Sequence, residues 1–283
     1  MALLVGISFA ANTSLAALSY RGGATPLAVL LARSVVAFTL LFVLLRTLGV
    51  RITLPPQRRR GALLLGGVFC TYSYGVLVAI KYLPVGLVVA TFYTFPILVA
   101  LIEWWSGRQP FSGRTALALL TAFVGILLAL DVFGAPLHRL GIGLCLFGAV
   151  GVTTVMIFSA KVRGDSDSRP ITLHMLGTAI VVFTLIVAVH GGVGLPQTAQ
   201  SWLAFCGSAM FYSFGIISLC VVLAQIGPVK ALLAMNIEPV TSGLLGYLLL
   251  DQRLGPVQLG GIALVVSAVV MVESTNLYRA RQG

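Results

Sequence analysis

Apolar residues run in long blocks along this chain, and polar residues collect in the short intervals between them. Ten blocks stand out, at roughly 2–20, 25–47, 61–81, 85–106, 113–132, 139–161, 171–190, 200–224, 229–250 and 256–274. A helix rising 1.5 Å per residue needs about 20 residues to cross a hydrocarbon core. The pattern therefore predicts an all-α integral membrane protein with ten transmembrane helices, bounded by Pro, Gly and charge. The intervals are too short for a soluble domain. The opening block, "MALLVGISFAANTSLAALSY", lacks the basic leader of a signal peptide and reads as the first transmembrane helix.

The blocks echo one another. "TYSYG" at 71–75 returns as "FYSFG" at 211–215, and "AFTLLFVLL" at 37–45 as "VFTLIVAV" at 182–189. "FYTFPILVALIEWW" at 92–105 aligns with "AMNIEPVTSGLLGY" at 234–247, setting Pro96 opposite Pro239. Offsets of 140 to 145 residues, in order, predict a duplication into units 1–133 and 134–283 with five helices each. Five is odd, so the second unit enters the membrane from the opposite side. Two inverted five-helix repeats are the architecture of alternating-access carriers, with the substrate site at their meeting point near mid-depth.

Composition sharpens the membrane reading. The chain is 59% hydrophobic and 9% charged, against about 25% charged for a soluble domain. The net charge of +11 does not indicate nucleic acid, because the basic residues flank apolar spans without interleaved aromatics. With the N-terminus inside, the cytoplasmic ends carry Arg46, Arg51, Arg58, Arg59, Arg60, Arg108, Arg114, Lys161, Arg163, Arg169, Lys230, Arg279 and Arg281. The outer ends carry Arg21, Lys81, Arg139 and Arg253. The positive-inside rule then places both termini in the cytoplasm. Cys70, Cys145, Cys206 and Cys220 lie singly in apolar blocks, which reads as buried packing rather than metal or disulfide chemistry.

Ten spans in a five-plus-five arrangement resemble the drug/metabolite transporter superfamily, and within it the EamA-type exporters of bacterial inner membranes. "ARSVVAFTLL" resembles that family's Arg-led second helix. "NIEPVTSGLLGYLLLDQRLGPVQLGGIALVVSAVVMVE" resembles its Pro-containing ninth helix, charged turn and Gly-rich tenth helix. The turn departs from the family's usual Gly-Glu-Arg, reading Asp251-Gln252-Arg253, with Gly107-Arg108-Gln109 in the first unit. The aromatic load is most similar to exporters of aromatic amino acids. The resemblance implies export of small metabolites, amino acids including aromatic ones, with exporters of organic cations or drugs as the alternative. It implies no cofactor. A small molecule and the bilayer are the expected partners, with proton coupling and function as a monomer as further expectations.

Charge at mid-depth is costly and marks function by default. Glu238 sits about nine residues into its span, where it binds a substrate ammonium, carries a coupling proton or serves as a structural carboxylate. Arg33 lies within about a helical turn of that depth. It pairs with Glu238 or contacts a substrate carboxylate, and the two opposite charges match a zwitterion. Tyr72 and Tyr212 are the repeated tyrosines, expected at the cavity in preference to Tyr74 and Phe214. Packing between helices is the competing role. Phe92, Tyr93 and Phe95 precede Pro96, and some of them face the cavity. Asn12 is expected at the cavity or in an interhelical hydrogen bond, and Asn236 beside Glu238. Pro96 and Pro239 each remove a backbone donor in mid-span, as a hinge or a packing kink. An intramembrane enzyme is disfavoured: there is no G-x-S-G, H-E-x-x-H or Walker A run, and no mid-span Asp pair. Neither rings of like charge nor a filter loop supports a channel.

Overall fold

The computed structural model describes residues 2–106, 113–129, 138–163, 167–235 and 237–280. Among them the chain is helical throughout, in α1 (Ala2–Arg21), α2 (Pro26–Thr47), α3 (Pro56–Ala79), α4 (Val85–Phe92), α5 (Phe95–Trp105), α6 (Gly113–Ala129), α7 (Arg139–Arg163), α8 (Arg169–Val189), α9 (Ala199–Met235), α10 (Ile237–Leu250) and α11 (Pro256–Ala280). Six of these helices are long and apolar enough to cross a membrane, and the remaining apolar helices are shorter. The junction expected at 133/134 lies outside the described residues.

Proline and small polar residues set the helix starts. Thr25 caps α2, its hydroxyl accepting from the Ala28 N–H at 3.4 Å, and Pro26 follows at the first helical position. Pro56, Pro170 and Pro256 open α3, α8 and α11 in the same way. Asp167 accepts from the Arg169 N–H at 2.9 Å and pairs with its guanidinium at 2.6 Å.

Two expected spans are drawn differently by the structure. The fourth, 85–106, is broken at Tyr93–Thr94 into α4 and α5. The Pro96 ring crowds the carbonyl four residues back, that of Phe92, and has no N–H to give it. The helix restarts from the Thr94 carbonyl, which accepts from the N–H groups of Ile97 and Leu98, both at 3.1 Å. The second difference is at 225–228, expected as a connection, where α9 instead runs helically through Gly227 and Pro228 to Met235. Its axis still turns back. Val5, Val222 and Met235 share one apolar cluster, whereas 13 residues of straight helix span about 20 Å. The early part of α9 runs antiparallel to α1, with Gly22 beside Ser201 and Phe9 beside Gly215. By contrast α10 runs parallel to α1, with Gly6 beside Ile237 and the Arg21 guanidinium donating to the Leu250 carbonyl.

These neighbours sort the helix ends into two sets. At one, the terminal end, lie the start of α1, the 48–55 connection, the α7–α8 connection and the reversal of α9. At the other, the far end, lie the connections 22–25, 80–84, 190–198 and 251–255. Hydrogen bonds tie the far end together. The Thr25 N–H donates to the Gly194 carbonyl at 3.0 Å, and the Gln197 N–H to the Gly22 carbonyl at 2.8 Å. The Val85 N–H, first in α4, donates to Gln252 Oε1 at 3.0 Å. Gln252, in the turn that departs from the Gly-Glu-Arg pattern, thus caps a helix of the other half of the chain.

Helix pairing is reciprocal. α1 packs on α9 and α7 on α3, α2 touches α9 as α8 touches α3, and the pairs α2–α8, α4–α10 and α6–α11 close the set. The α6–α11 pair is the tightest by backbone approach. A Cβ on Gly261 would stand 2.6 Å from the Gly125 carbonyl oxygen, so only glycine fits there.

Candidate functional site

Helices α1–α5 and α7–α10 enclose a cavity of about 400 Å³. Residues at helical spacing supply its walls: Phe9, Asn12 and Thr13 from α1, and Phe69, Tyr72, Ser73 and Val76 from α3. Gly151 of α7 leaves room for the Tyr72 side chain, and Gly148 for that of Val76. Ser168, between α7 and α8, lines the cavity, so it reaches the terminal end. No residue of the far-end connections lines it.

Every expected substrate-contact residue within the described set faces this space: Asn12, Arg33, Tyr72, Phe92, Tyr93, Phe95, Tyr212 and Glu238. Asn236 lies outside the described residues. Tyr74 and Phe214 point away and are exposed on the outer surface. Three of the cysteines are buried, but Cys206, in α9, is exposed, contrary to the expected buried packing. Pro96 and Pro239 do not line the cavity. They stand behind it, second in α5 and third in α10, and Pro96 lies just past the break at Tyr93–Thr94.

The two mid-depth charges are not paired with each other, contrary to the expected Arg33–Glu238 contact. Glu238 Oε2 lies 2.8 Å from the Tyr93 hydroxyl. That hydroxyl also lies 2.9 Å from the Met235 carbonyl. Pro239 explains the second contact. Met235 is four residues before it, so the N–H that would ordinarily satisfy this carbonyl is missing. Tyr93 has one proton for two acceptors. When Glu238 is ionised, the hydroxyl donates to the carboxylate. When Glu238 is protonated, its own O–H donates to Tyr93, and Tyr93 donates to Met235. The break between α4 and α5 is thereby tied to the end of α9 and the first turn of α10.

Arg33 turns elsewhere. Its guanidinium carbon stands 4.4 Å from the centroid of the Tyr212 ring. Phe9 meets that ring edge-on, with centroids 6.2 Å apart. Among the described residues Arg33 makes no ion pair, and its Nε is buried without a hydrogen-bond partner, as is the Tyr212 hydroxyl. Asn12 does both things expected of it: it faces the cavity, and its Oδ1 accepts from the Ser208 hydroxyl at 3.0 Å.

Aromatic rings line one side continuously. Tyr72 meets Phe69 edge-on at 5.5 Å and lies nearly parallel to Phe92 at 6.4 Å. Phe92 and Tyr93 each stand 5.5 Å from Phe95. Phe9 and Phe69 escape a reading by residue type, since a phenylalanine in an apolar helix is equally at home against lipid. The signal that finds them is the spacing to Asn12 and Tyr72, three residues on.

The EamA-like transporter family model matches two successive stretches, residues 1–130 and 139–274. Protein PecM of Dickeya dadantii (strain 3937) is 27% identical over 212 residues, covering 71% of this chain and 68% of its own. The uncharacterized transporter YvbV of Bacillus subtilis (strain 168) is 24% identical over 215 residues, covering 73% of this chain and 69% of its own. A protein crystal structure superposes with a TM-score of 0.66 at 16% identity, covering 96% of this chain and 97% of that one, a likeness of fold.

Proposed function

The chain belongs to the EamA-like transporter family, and from that premise we propose that it exports amino acids, aromatic ones included, by alternating access. The carrying observation is the cavity itself: an aromatic wall with one unpaired guanidinium and one carboxyl facing the same space. A zwitterion with a flat apolar side chain complements all three. Asn12 and Tyr72 add polar contacts, and Tyr93 with Glu238 provides a place for a coupling proton. Organic cations are the second reading, favoured by Glu238 and the ring faces.

Two inverted five-helix repeats are part of the reading. The reciprocal helix pairing supports them, as do the two stretches of the family match and the prolines near the starts of α5 and α10. Pro96 and Pro239 serve as hinges under this reading, and the protein works as a monomer. The apolar helices and the bacterial relatives support a multi-pass protein of a bacterial inner membrane. The excess of Lys and Arg at the terminal end supports cytoplasmic termini, so the cavity reaches the cytoplasmic side.

The test is counterflow in proteoliposomes. Vesicles preloaded with phenylalanine, tryptophan, leucine or tetraphenylphosphonium are offered a labelled trace of the same compound. Saturable accumulation of the amino acids is expected. Counterflow by tetraphenylphosphonium alone would hand the function to the second reading.

A further inference from the structure

Arg33 is 4% exposed and faces the cavity. Burying a guanidinium without an anion costs several kcal/mol. The Tyr212 ring, its centroid 4.4 Å from the guanidinium carbon, offsets part of that cost but does not replace an anion. The N–H donors lie along the edge of the plane, and the structure gives them no acceptor among the described residues. Glu238, the buried carboxyl facing the same cavity, is engaged by Tyr93 instead.

We propose that Arg33 is the anchor of the substrate, that the group it takes is a carboxylate, and that an ammonium group is dispensable. This rests on the exporter reading above and sharpens it to a substrate class: organic carboxylates with a flat apolar body, with or without an amine. The asymmetry follows from the contacts. A ligand carboxylate meets an unengaged guanidinium edge and gains a charge-assisted, two-pronged contact. A ligand ammonium meets a carboxyl whose Oε2 is already engaged by the Tyr93 hydroxyl, and it is repelled by Arg33. The cation–π contact with Tyr212 holds the guanidinium in place at the cavity wall. Tyr212 is a positioning residue in this scheme.

Three probes test it by calorimetry on the whole protein in lipid nanodiscs at neutral pH: 3-phenylpropionate, phenylalanine and phenethylamine. The acid and the amino acid are expected to bind within about tenfold of each other, and the amine not at all. Arg33→Gln should weaken both carboxylates by roughly 10- to 100-fold, the loss expected for a charged hydrogen bond. Arg33→Lys should recover part of that, because it keeps the charge but not the fork or the stack. Should Arg33→Gln not fold, the wild-type ranking and Arg33→Lys decide. Phenethylamine binding as tightly as 3-phenylpropionate overturns the proposal, as does failure of both carboxylates to bind. Carboxylate binding that depends on Arg33 without any amino-acid counterflow leaves the anchor standing and removes the export reading. Phenylalanine counterflow inhibited by phenethylamine and not by 3-phenylpropionate does the reverse.

Discussion

Tyr93 and Tyr212 are buried tyrosines on the same cavity, yet loss of the hydroxyl should affect them in opposite ways. Tyr93→Phe removes the donor that the Met235 carbonyl and Glu238 share, leaving buried acceptors unpaired. A destabilisation of about 1–3 kcal/mol is expected. Tyr212→Phe removes a hydroxyl that has no partner among the described residues and keeps the ring against Arg33, so stability should hold or rise. Tyr212→Leu should lose the cation–π contact, worth about 0.5–2 kcal/mol. Thermal unfolding of the three variants in one detergent orders them, and a Tyr212→Phe as damaged as Tyr93→Phe would overturn both assignments. Glu238→Gln tests the proton reading: transport should fall and lose its pH dependence, while a pH profile parallel to wild type would take the proton elsewhere. The site was legible in the sequence to this depth because charge and hydroxyls stand out against aliphatic neighbours. Which partner each one takes was not. Position along a helix follows from residue count, but direction around its axis depends on how the helix is rotated in the bundle, and Arg33 turns to Tyr212 rather than Glu238.

Gln252 shows what a loop residue can do for a helix in the other half of the chain. Its side chain accepts from the first N–H of α4, so Gln252→Leu should cost about 1 kcal/mol as a lost cap. Gln252→Glu, which restores the family's usual residue, keeps the acceptor and sets a negative charge at a helix N-terminus. It should be neutral or stabilising by a few tenths of a kcal/mol. Equal melting temperatures for the Leu and Glu variants would exclude the cap. At α6–α11, Gly261→Val places a branched side chain against the Gly125 carbonyl and must push the helices apart. A drop in melting temperature and in folded yield is expected, and wild-type yield would show that the pair can separate freely. Proline legibly marks the broken helix at Tyr93–Thr94. The course of α9 was harder to read. Gly227 and Pro228 do signal a change of direction, but the apolar run after them continues helically to Met235, so the reversal occurs inside a helical segment.

Orientation belongs to the whole molecule and rests on charge placement. Thr53 is exposed in the connection at the terminal end, and Gln200 at the start of α9 at the far end. Single cysteines there should respond oppositely to an impermeant maleimide, Gln200→Cys in intact cells and Thr53→Cys only after permeabilisation. The inverse pattern would put the termini outside. At this scale the all-helical, membrane character was the most legible, because it depends only on the lengths and composition of the apolar blocks. The closing of the far end was not foreseeable, since it depends on main-chain contacts such as Thr25 with Gly194. Within the bundle, α6 and α11 hold each other and contribute no side chain to the cavity among the described residues. In a saturation library selected for survival against a toxic cargo, these two helices should therefore form a class of their own. Their inward positions will accept changes of polarity pattern or shape only where volume is kept, and no substitution there should alter which cargo is resisted. Variants with altered cargo range should map instead to the helices that line the cavity, so a library confined to those would recover the full range of specificities at a fraction of the size.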